Sequence, residues 1–474
     1  MLSSVFICIL RFSHKDKVIV KWIHYTLYIL AEARLGRVIV MSESETISRC
    51  PASPLSLDRQ GVSNPQDFYA AVRNSGPVFV PEIDAWLLTR SEDILEAASD
   101  IVQFSHRYPA GPHFAKILRE SMARAMTMPG APTNVEGAVT MGRDVLFASD
   151  APVHVRQRGI VAGVFNPREL KIIAVQAREI THRLIDGFLD RGEVELVSEL
   201  AWPLPLEVIA RRMGVPVEML STFRYWAESL AKTLGGGLPS EEEALEILRA
   251  LTEFHAYFSD RLDEAAVSPQ SDILGLLARN AENLSRQEML GMLLQFLVAG
   301  HETTTALISS LVLRLATEPE LVERLRADRS LVSPFVEEGL RLDTPAQGIF
   351  RRAKKDVEIG GVRIQAGDHI FLPYASANRD PDRHPKADCL HLQRTGEPSH
   401  VSFGRGAHFC LGAPLARLEA NVAIDVFLDR LTDIRLAGDQ PYEYNRSYMV
   451  RCLKYLRLSF TPLPQIRSNS LGSI

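Results

Sequence analysis

One stretch limits what this chain can become. From Arg286 to Thr317 it reads "RQEMLGMLLQFLVAGHETTTALISSLVLRLAT", apolar on nearly every face. Ser285 stands in the N-cap position, and Pro319 ends the run. At 1.5 Å rise per residue such a helix reaches about 48 Å. A helix apolar all round belongs in a core. Its centre, Ala299-Gly300-His301-Glu302-Thr303-Thr304-Thr305, breaks the pattern. A glycine and three threonines weaken a helix interior. Threonine hydroxyls bond back to carbonyls and bend it. A buried carboxylate is costly unless it is paired or functional. Two readings follow. One is a tolerated kink with Glu302 paired elsewhere. The other is a groove in the helix where a small ligand sits, with Glu302 and Thr303 relaying protons toward it.

The remaining chain is ordinary globular sequence: of 474 residues, 46% are hydrophobic and 23% charged. Lys+Arg 53 against Asp+Glu 58 leaves a net charge of −5, the wrong sign for general nucleic-acid binding. Five scattered cysteines (Cys8, Cys50, Cys389, Cys410, Cys452) make no disulfide framework and fit a reducing compartment. Helical patterns are expected at Ser91–Ser99, Pro152–Phe165, Pro167–Arg191, Pro205–Met213, Val217–Leu234 and Glu241–Ala265. The break Gly235–Ser240 reads as a hinge or lid. Gln103–Val145 is irregular and rich in Gly, Pro and Met, a functional loop carrying short helices. Strands are expected at Val78–Val80, Ala85–Thr89, Val357–Ile359, Val362–Ile364, His369–Leu372 and Tyr455–Phe460. The fold class is mainly α with a small β region.

Residues 1–40 read as a non-core N-terminal extension, with 41–474 as the catalytic domain. The two apolar runs near the start are interrupted by charges such as Arg11, Lys15 and Lys21. Neither reaches the roughly 20 residues of a spanning helix. The first positive charge follows the first apolar run, which is not the order of a signal peptide. Met41 opens a polar stretch that resembles a natural start. Membrane association is not expected, and the localisation expected is cytoplasmic; a peripheral anchor is the competing reading of these 40 residues.

The most specific chemistry lies in "FGRGAHFCLGAPLARLE", Phe403–Glu419. Cys410 sits between Gly406 and Gly412 and just before a helical run with Pro414 in its first turn. Unpaired N–H groups and the positive end of the helix dipole favour thiolate there. Glycines let the backbone approach a flat cofactor, and Phe403 can shield the sulfur. A thiolate so held is what a haem-thiolate centre uses. Zinc is the rival, through Cys389, His391, His408 and Cys410. Their one-residue gaps are shorter than zinc-site spacing.

With these residues in view the chain resembles the cytochrome P-450 superfamily of soluble bacterial type. Phe403, Gly406, His408, Cys410 and Gly412 fill F-x-x-G-x-[HR]-x-C-x-G. Ala299 to Thr304 fill [AG]-G-x-[DE]-T-[ST]. Glu338 and Arg341 fill E-x-x-R. "ASANRDPD" (Ala375–Asp382) and "DAPVHVRQRGIVAGVFNP" (Asp150–Pro167) resemble two further family segments, the latter with H-x-x-x-R. The five motifs occur in family order between about Asn64 and Phe460. The resemblance implies the triangular-prism cytochrome P-450 fold and haem b (heme b, iron protoporphyrin IX). Cys410 would be the metal ligand. His154, Arg158, Arg351 and His408 would hold haem propionates, with Ala299, Phe403 and Gly412 also beside the cofactor. Glu302 and Thr303 would be catalytic. Glu338, Arg341 and Arg394 would be structural. Cys452 replaces a glycine common in relatives, in a turn near the substrate.

The implied reaction is monooxygenation of a small, apolar organic substrate by dioxygen. No flavin module or iron–sulfur spacing is present in the sequence, so electrons would come from a ferredoxin or flavodoxin with its NAD(P)H reductase. Arg156 and Arg405 are candidates for its docking patch. A peroxide-driven enzyme and a non-catalytic haem sensor are the rival functions, and the Glu302–Thr303 pair argues against both. Expected substrate walls are Gln103–Gly130, Gly235–Ser240, Gln295, Val298 and Ala299, Ala346–Phe350, and Met449–Val450.

Overall fold

The central helix spans Arg286–Thr317, the bounds its sequence predicts. Ser285 and Glu288 form a reciprocal capping box: the Glu288 N–H donates to Ser285 Oγ at 3.3 Å, and the Ser285 N–H to Glu288 Oε2 at 2.7 Å. The helix is long and apolar enough to cross a membrane, but 72% of its most apolar window is buried within the protein. It is therefore the core helix of this fold. Helices Pro203–Arg212, Val332–Asp343 and Ala413–Arg430 pack around it. The computed structural model describes residues 65–464, apart from 108, 142–143, 233–238, 395, 397–398 and 446. The expectations for residues 1–40, for Met41, and for the glycines of the Gly235–Ser240 break lie outside the described residues.

Among the described residues, ten strands form three small sheets: β1 Val78–Val80, β2 Ala85–Leu87, β3 Phe104–Ser105, β4 Glu193–Glu195, β5 Ile349–Ala353, β6 Val357–Ile359, β7 Val362–Ile364, β8 His369–Leu372, β9 Leu431–Leu436 and β10 Arg457–Pro462. The largest runs β1-β2-β8-β5-β3, with β2 and β8 parallel and the other pairs antiparallel. A second is β4-β10-β9, and β6 and β7 make a hairpin.

Several bounds differ from expectation, each for a reason. The helix from Pro167 stops at Asp186 rather than Arg191, because β4 must peel away to pair Glu195 with Arg457 of β10. The helix near Val153 ends at Val161. A full 14-residue helix, Pro112–Ala125, lies inside the stretch expected to be irregular. Its Gly-Pro start and Met-rich flanks mask its period, and it rests on the helix Glu241–Val267. Helix Ser91–Ser99 is not capped by its own side chain. The Ser91 N–H donates to Asp380 Oδ2 at 2.8 Å, across nearly three hundred residues of chain.

Candidate active site

Three structures converge on Cys410: the loop that carries it, a basic cluster to one side and a buried polar knot behind. In the loop, the Cys410 N–H donates to the Phe403 carbonyl at 2.9 Å. Gly412 then opens helix Ala413–Arg430. Gly406 has a left-handed φ of 74°, and a Cβ there would meet Ser99 Cα at 3.2 Å. Its lack of a side chain lets the loop rest on the backbone of helix Ser91–Ser99. The Arg417 guanidinium lies 4.5 Å from the Phe403 ring centroid, a cation–π contact.

Cys410 is solvent-accessible as a residue, yet protein packed around it pushes its thiol above the ordinary value. The Gly412 and Ala413 N–H groups and the Arg158 and Arg417 charges oppose this without reversing it. A metal ion at the sulfur would complete the ionisation, since a coordinated thiol loses its proton. Zinc has no support: no cluster of three or more metal-binding side chains occurs among the described residues.

The basic cluster is built from three elements. His408 stacks on His154 from helix Val153–Val161, centroids 3.7 Å apart. Its other neighbour is His106, just after β3, at 3.2 Å and 14° between planes. Strand β5 turns Arg351 inward and Arg352 to solvent. Arg351 is 2% exposed; its guanidinium donates to the Phe350 carbonyl at 3.1 Å and bonds Tyr374. Among the described residues, no carboxylate lies within ion-pair distance of it. Arg158 donates to the Phe409 carbonyl at 2.8 Å. Asp150 is the nearby negative charge, but it is not ion-paired to Arg351; a buried guanidinium and neighbouring imidazoles left so suit a carboxylate-bearing ligand. The cluster therefore fits haem propionates, beside a sulfur suited to its iron. His106 and Tyr374 were not foreseen; nothing in their local sequence marks them.

The polar knot joins four segments. Arg341, 2% exposed, grips Glu338 with two hydrogen bonds of 2.7 and 2.9 Å. It also donates to the carbonyls of Asn378, Ala387 and Cys389. Arg394 donates to Glu338 Oε1 at 3.1 Å, and the His391 N–H donates to Glu338 Oε2 at 2.9 Å. Burial alone would raise the Glu338 carboxyl, but these donors hold it below its ordinary value. Asn378, from the "ASANRDPD" segment, donates to Thr344 Oγ1 and Ser402 Oγ and accepts from the Val401 N–H at 2.7 Å. It ties the Glu338 helix to the Cys410 loop. A second pair missed by sequence, Arg417 and Glu337, is bidentate at 2.6 and 2.9 Å, with His400 at 3.1 Å on the same carboxylate.

In the central helix, Ala299 is exposed and Thr303 half-buried, while His301, Glu302, Thr304 and Thr305 are buried. Only Thr303 of the three threonines faces an opening. Thr303 Oγ1 bonds back to the Ala299 carbonyl at 3.4 Å and Thr305 Oγ1 to that of His301 at 3.0 Å. The helix stays continuous through them. Gly300 serves packing, since a Cβ there would meet Ile209 of helix Pro203–Arg212 at 3.0 Å. Glu302 is 6% exposed, Oε2 has no hydrogen-bond partner among the described residues, and burial lifts its carboxyl to about 7. It has no ion-pair partner among the described residues, so the kink reading loses its premise.

Walls from distant segments meet nearby. Phe350, Met449, Val450, Cys452 and Ala306 share one apolar cluster. The Phe350 N–H donates to the Pro109 carbonyl at 3.0 Å and the Tyr448 hydroxyl to that of Ala110 at 3.2 Å. Gln295 ties the central helix to the Val145 carbonyl at 2.8 Å. Arg156 is engaged by Glu288 and the Asn283 carbonyl, whereas Arg405 is exposed.

Known proteins match this geometry. The "Cytochrome P450" family model matches residues 247–441. A relative named vitamin D(3) 25-hydroxylase, from Pseudonocardia autotrophica, is 34% identical over 84% of this chain and 94% of its own. A crystal structure of P450BioI with hexadec-9Z-enoic acid ligated acyl carrier protein is 30% identical. It covers 84% of this chain and 98% of that one, with a TM-score of 0.74. CYP109E1 from Bacillus megaterium, solved with testosterone, is 27% identical over 84% of this chain and 98% of its own, TM-score 0.71.

Proposed function

Because this chain belongs to the cytochrome P450 family, and is thereby a haem b monooxygenase, we propose that it oxygenates a small apolar organic substrate with electrons from a separate donor. Cys410 is the proposed iron ligand; His154, Arg158, Arg351 and His408 hold the haem carboxylates; Ala299, Phe403 and Gly412 flank the ring. The cofactor supplies dioxygen reduction and cleavage, which thiolate donation favours. The chain's own work is to position, exclude water and move protons. Glu302 holds a proton on its carboxyl, and Thr303 Oγ1 passes it across the exposed notch at Ala299. Glu338, Arg341 and Arg394 fix the loop and touch no reactant.

Glu302 is the observation that carries this reading. A buried carboxyl at about 7, next to a hydroxyl facing the opening, is matched to proton delivery near neutral pH. A non-catalytic sensor has no use for it, and the acid–alcohol pair suits the oxygen-activating route. The wall cluster of Phe350, Met449 and Val450 supports an apolar substrate. So do the vitamin D(3), fatty-acyl and testosterone associations in the names of the relatives. The donor is a ferredoxin or flavodoxin with its NAD(P)H reductase, meeting the face that exposes Arg405 and Phe409. Residues 1–40 are an extension outside the catalytic domain, and the enzyme is cytoplasmic. The test compares turnover by dioxygen with a surrogate reductase against turnover by hydrogen peroxide. Product in the first arm is expected. Product only in the second would assign a peroxide-driven enzyme, and none in either a sensor.

A further inference from the structure

His106 is 2% exposed, and among the described residues neither ring nitrogen makes a well-formed hydrogen bond; the Phe147 backbone acts on the ring only weakly. Burying two unsatisfied polar atoms is costly, so such a ring in a native protein needs a reason. Packing alone would favour phenylalanine in the same space. The placement of the ring is also over-determined. Strand β3 pairs Ser105 with Arg352 of β5, which sets His106 alongside Arg351. Asp150 then clamps the segment: its carboxylate accepts from Ser105 Oγ at 2.6 Å and from the His106 N–H at 2.8 Å. The Asp150 carbonyl accepts the His154 N–H at 2.9 Å, so one residue fixes both imidazoles. Since the Asp150 carboxylate is already occupied by these donors and by Lys354 at 3.4 Å, it does not serve the rings.

The result is a column of three imidazoles, His106, His408 and His154, beside the buried Arg351 guanidinium. The Arg351 guanidinium adds donors that no carboxylate among the described residues pairs, and an anion with several acceptor oxygens would take up these and a ring N–H. We infer that His106 is a third imidazole of the haem-carboxylate site, donating a ring N–H to a propionate alongside His154, His408 and Arg351. This rests on the haem reading above and adds a ligand on a segment, β3 and its exit, that the recurring motifs do not include.

The test uses full-length holoprotein as wild type, His106→Phe and His106→Gln. Three readouts are taken: the reduced carbon-monoxide Soret band, the rate of haem transfer to excess apomyoglobin, and the resonance Raman propionate-bending bands. Loss of a charge-assisted hydrogen bond should speed release about ten-fold in His106→Phe. A propionate band should shift, while the thiolate-type Soret band stays. His106→Gln, which keeps an N–H donor, should recover much of the retention. The proposal is overturned if His106→Phe releases haem at the wild-type rate with unshifted bands. It is equally overturned if both variants release fast with no Raman shift, since the ring would then serve packing alone. A wild type lacking the thiolate-type band would defeat the haem reading itself, and this inference with it.

Discussion

The knot behind Cys410 and the notch in the central helix are both buried and polar, and they are built on opposite rules. In the knot every strong donor is used: Arg341 reaches one carboxylate and three carbonyls, and Asn378 uses both ends of its amide. In the notch, Glu302 Oε2 and His301 Nε2 have no hydrogen-bond partner among the described residues, and Trp202 Nε1, whose ring lies 4.5 Å from that of His301, has none there either. Satisfied polar groups rigidify; unsatisfied ones hold free energy that a ligand or a proton can release. The knot is thus saturated and the notch left open, as the proposed proton path through Glu302 and Thr303 requires.

The largest break to this contrast is at the held side. Cys410→Ala should abolish the thiolate-type Soret band of the reduced carbon-monoxide complex; a variant that kept it would place the ligand elsewhere. Next comes the knot. Glu338→Ala strands Arg341 in the interior and should cost about 3–5 kcal/mol, read from urea unfolding. A loss below about 1 kcal/mol would reduce the knot to the rank of an exposed ion pair.

The notch should behave differently, changing chemistry and leaving stability alone. Thr303→Ala should still bind haem, while product formation falls roughly 10²-fold or more and reducing equivalents appear as hydrogen peroxide. Thr304→Ala, buried on another face, should stay coupled. The reverse pattern would shift the helix register by one. A smaller effect concerns pH. With its carboxyl at about 7, Glu302 is protonated below that pH and loses its proton above it. Product formation should decline as pH rises through 7, and Glu302→Gln should remove that limb while slowing turnover throughout. An unchanged profile would assign the limb to another group.

The smallest expected effect returns to the held side. Burial would raise the Glu337 carboxyl, but His400 and Arg417 bring it down to about 2. An unfolded glutamate titrates near ~4.3. Glu337 therefore stabilises the fold fully above that value, and the contribution drains away as pH falls toward 2. Glu337→Gln should flatten the acid limb of an unfolding-versus-pH curve slightly.

Much of this was legible in sequence wherever the signal is local. The central helix announces itself through its apolar run, its Ser285–Glu288 box and Pro319. Cys410 and its glycines sit within ten residues of one another. Pairings across the chain leave no such trace. Strand β3 is two residues long and exists only because β5 lies beside it. Asp150 looks like any loop aspartate until it is seen holding Ser105 and His106. Glu337 and Arg417 lie next to motif residues, yet 80 positions apart they carry no periodicity. Gly300 was legible as a glycine of the groove, but its tight contact with Ile209 depends on a helix the local sequence does not mention.

The seat of Gly406 on the Ser91–Ser99 helix has a consequence for how the protein is born. The helix leaves the ribosome about three hundred residues before the loop that rests on it. At the usual pace of synthesis that is an interval of roughly 15–60 s. Throughout it the nascent chain holds one half of a seat whose other half has not been made. Helix Val153–Val161 waits likewise for His408. Contacts this far apart in sequence form slowly even in a complete chain. With Cys410 and His408 in their proposed roles, cofactor capture is therefore an event late in the life of the chain, and a product terminated before them, lacking the last seventy or so residues, would be unable to take it up.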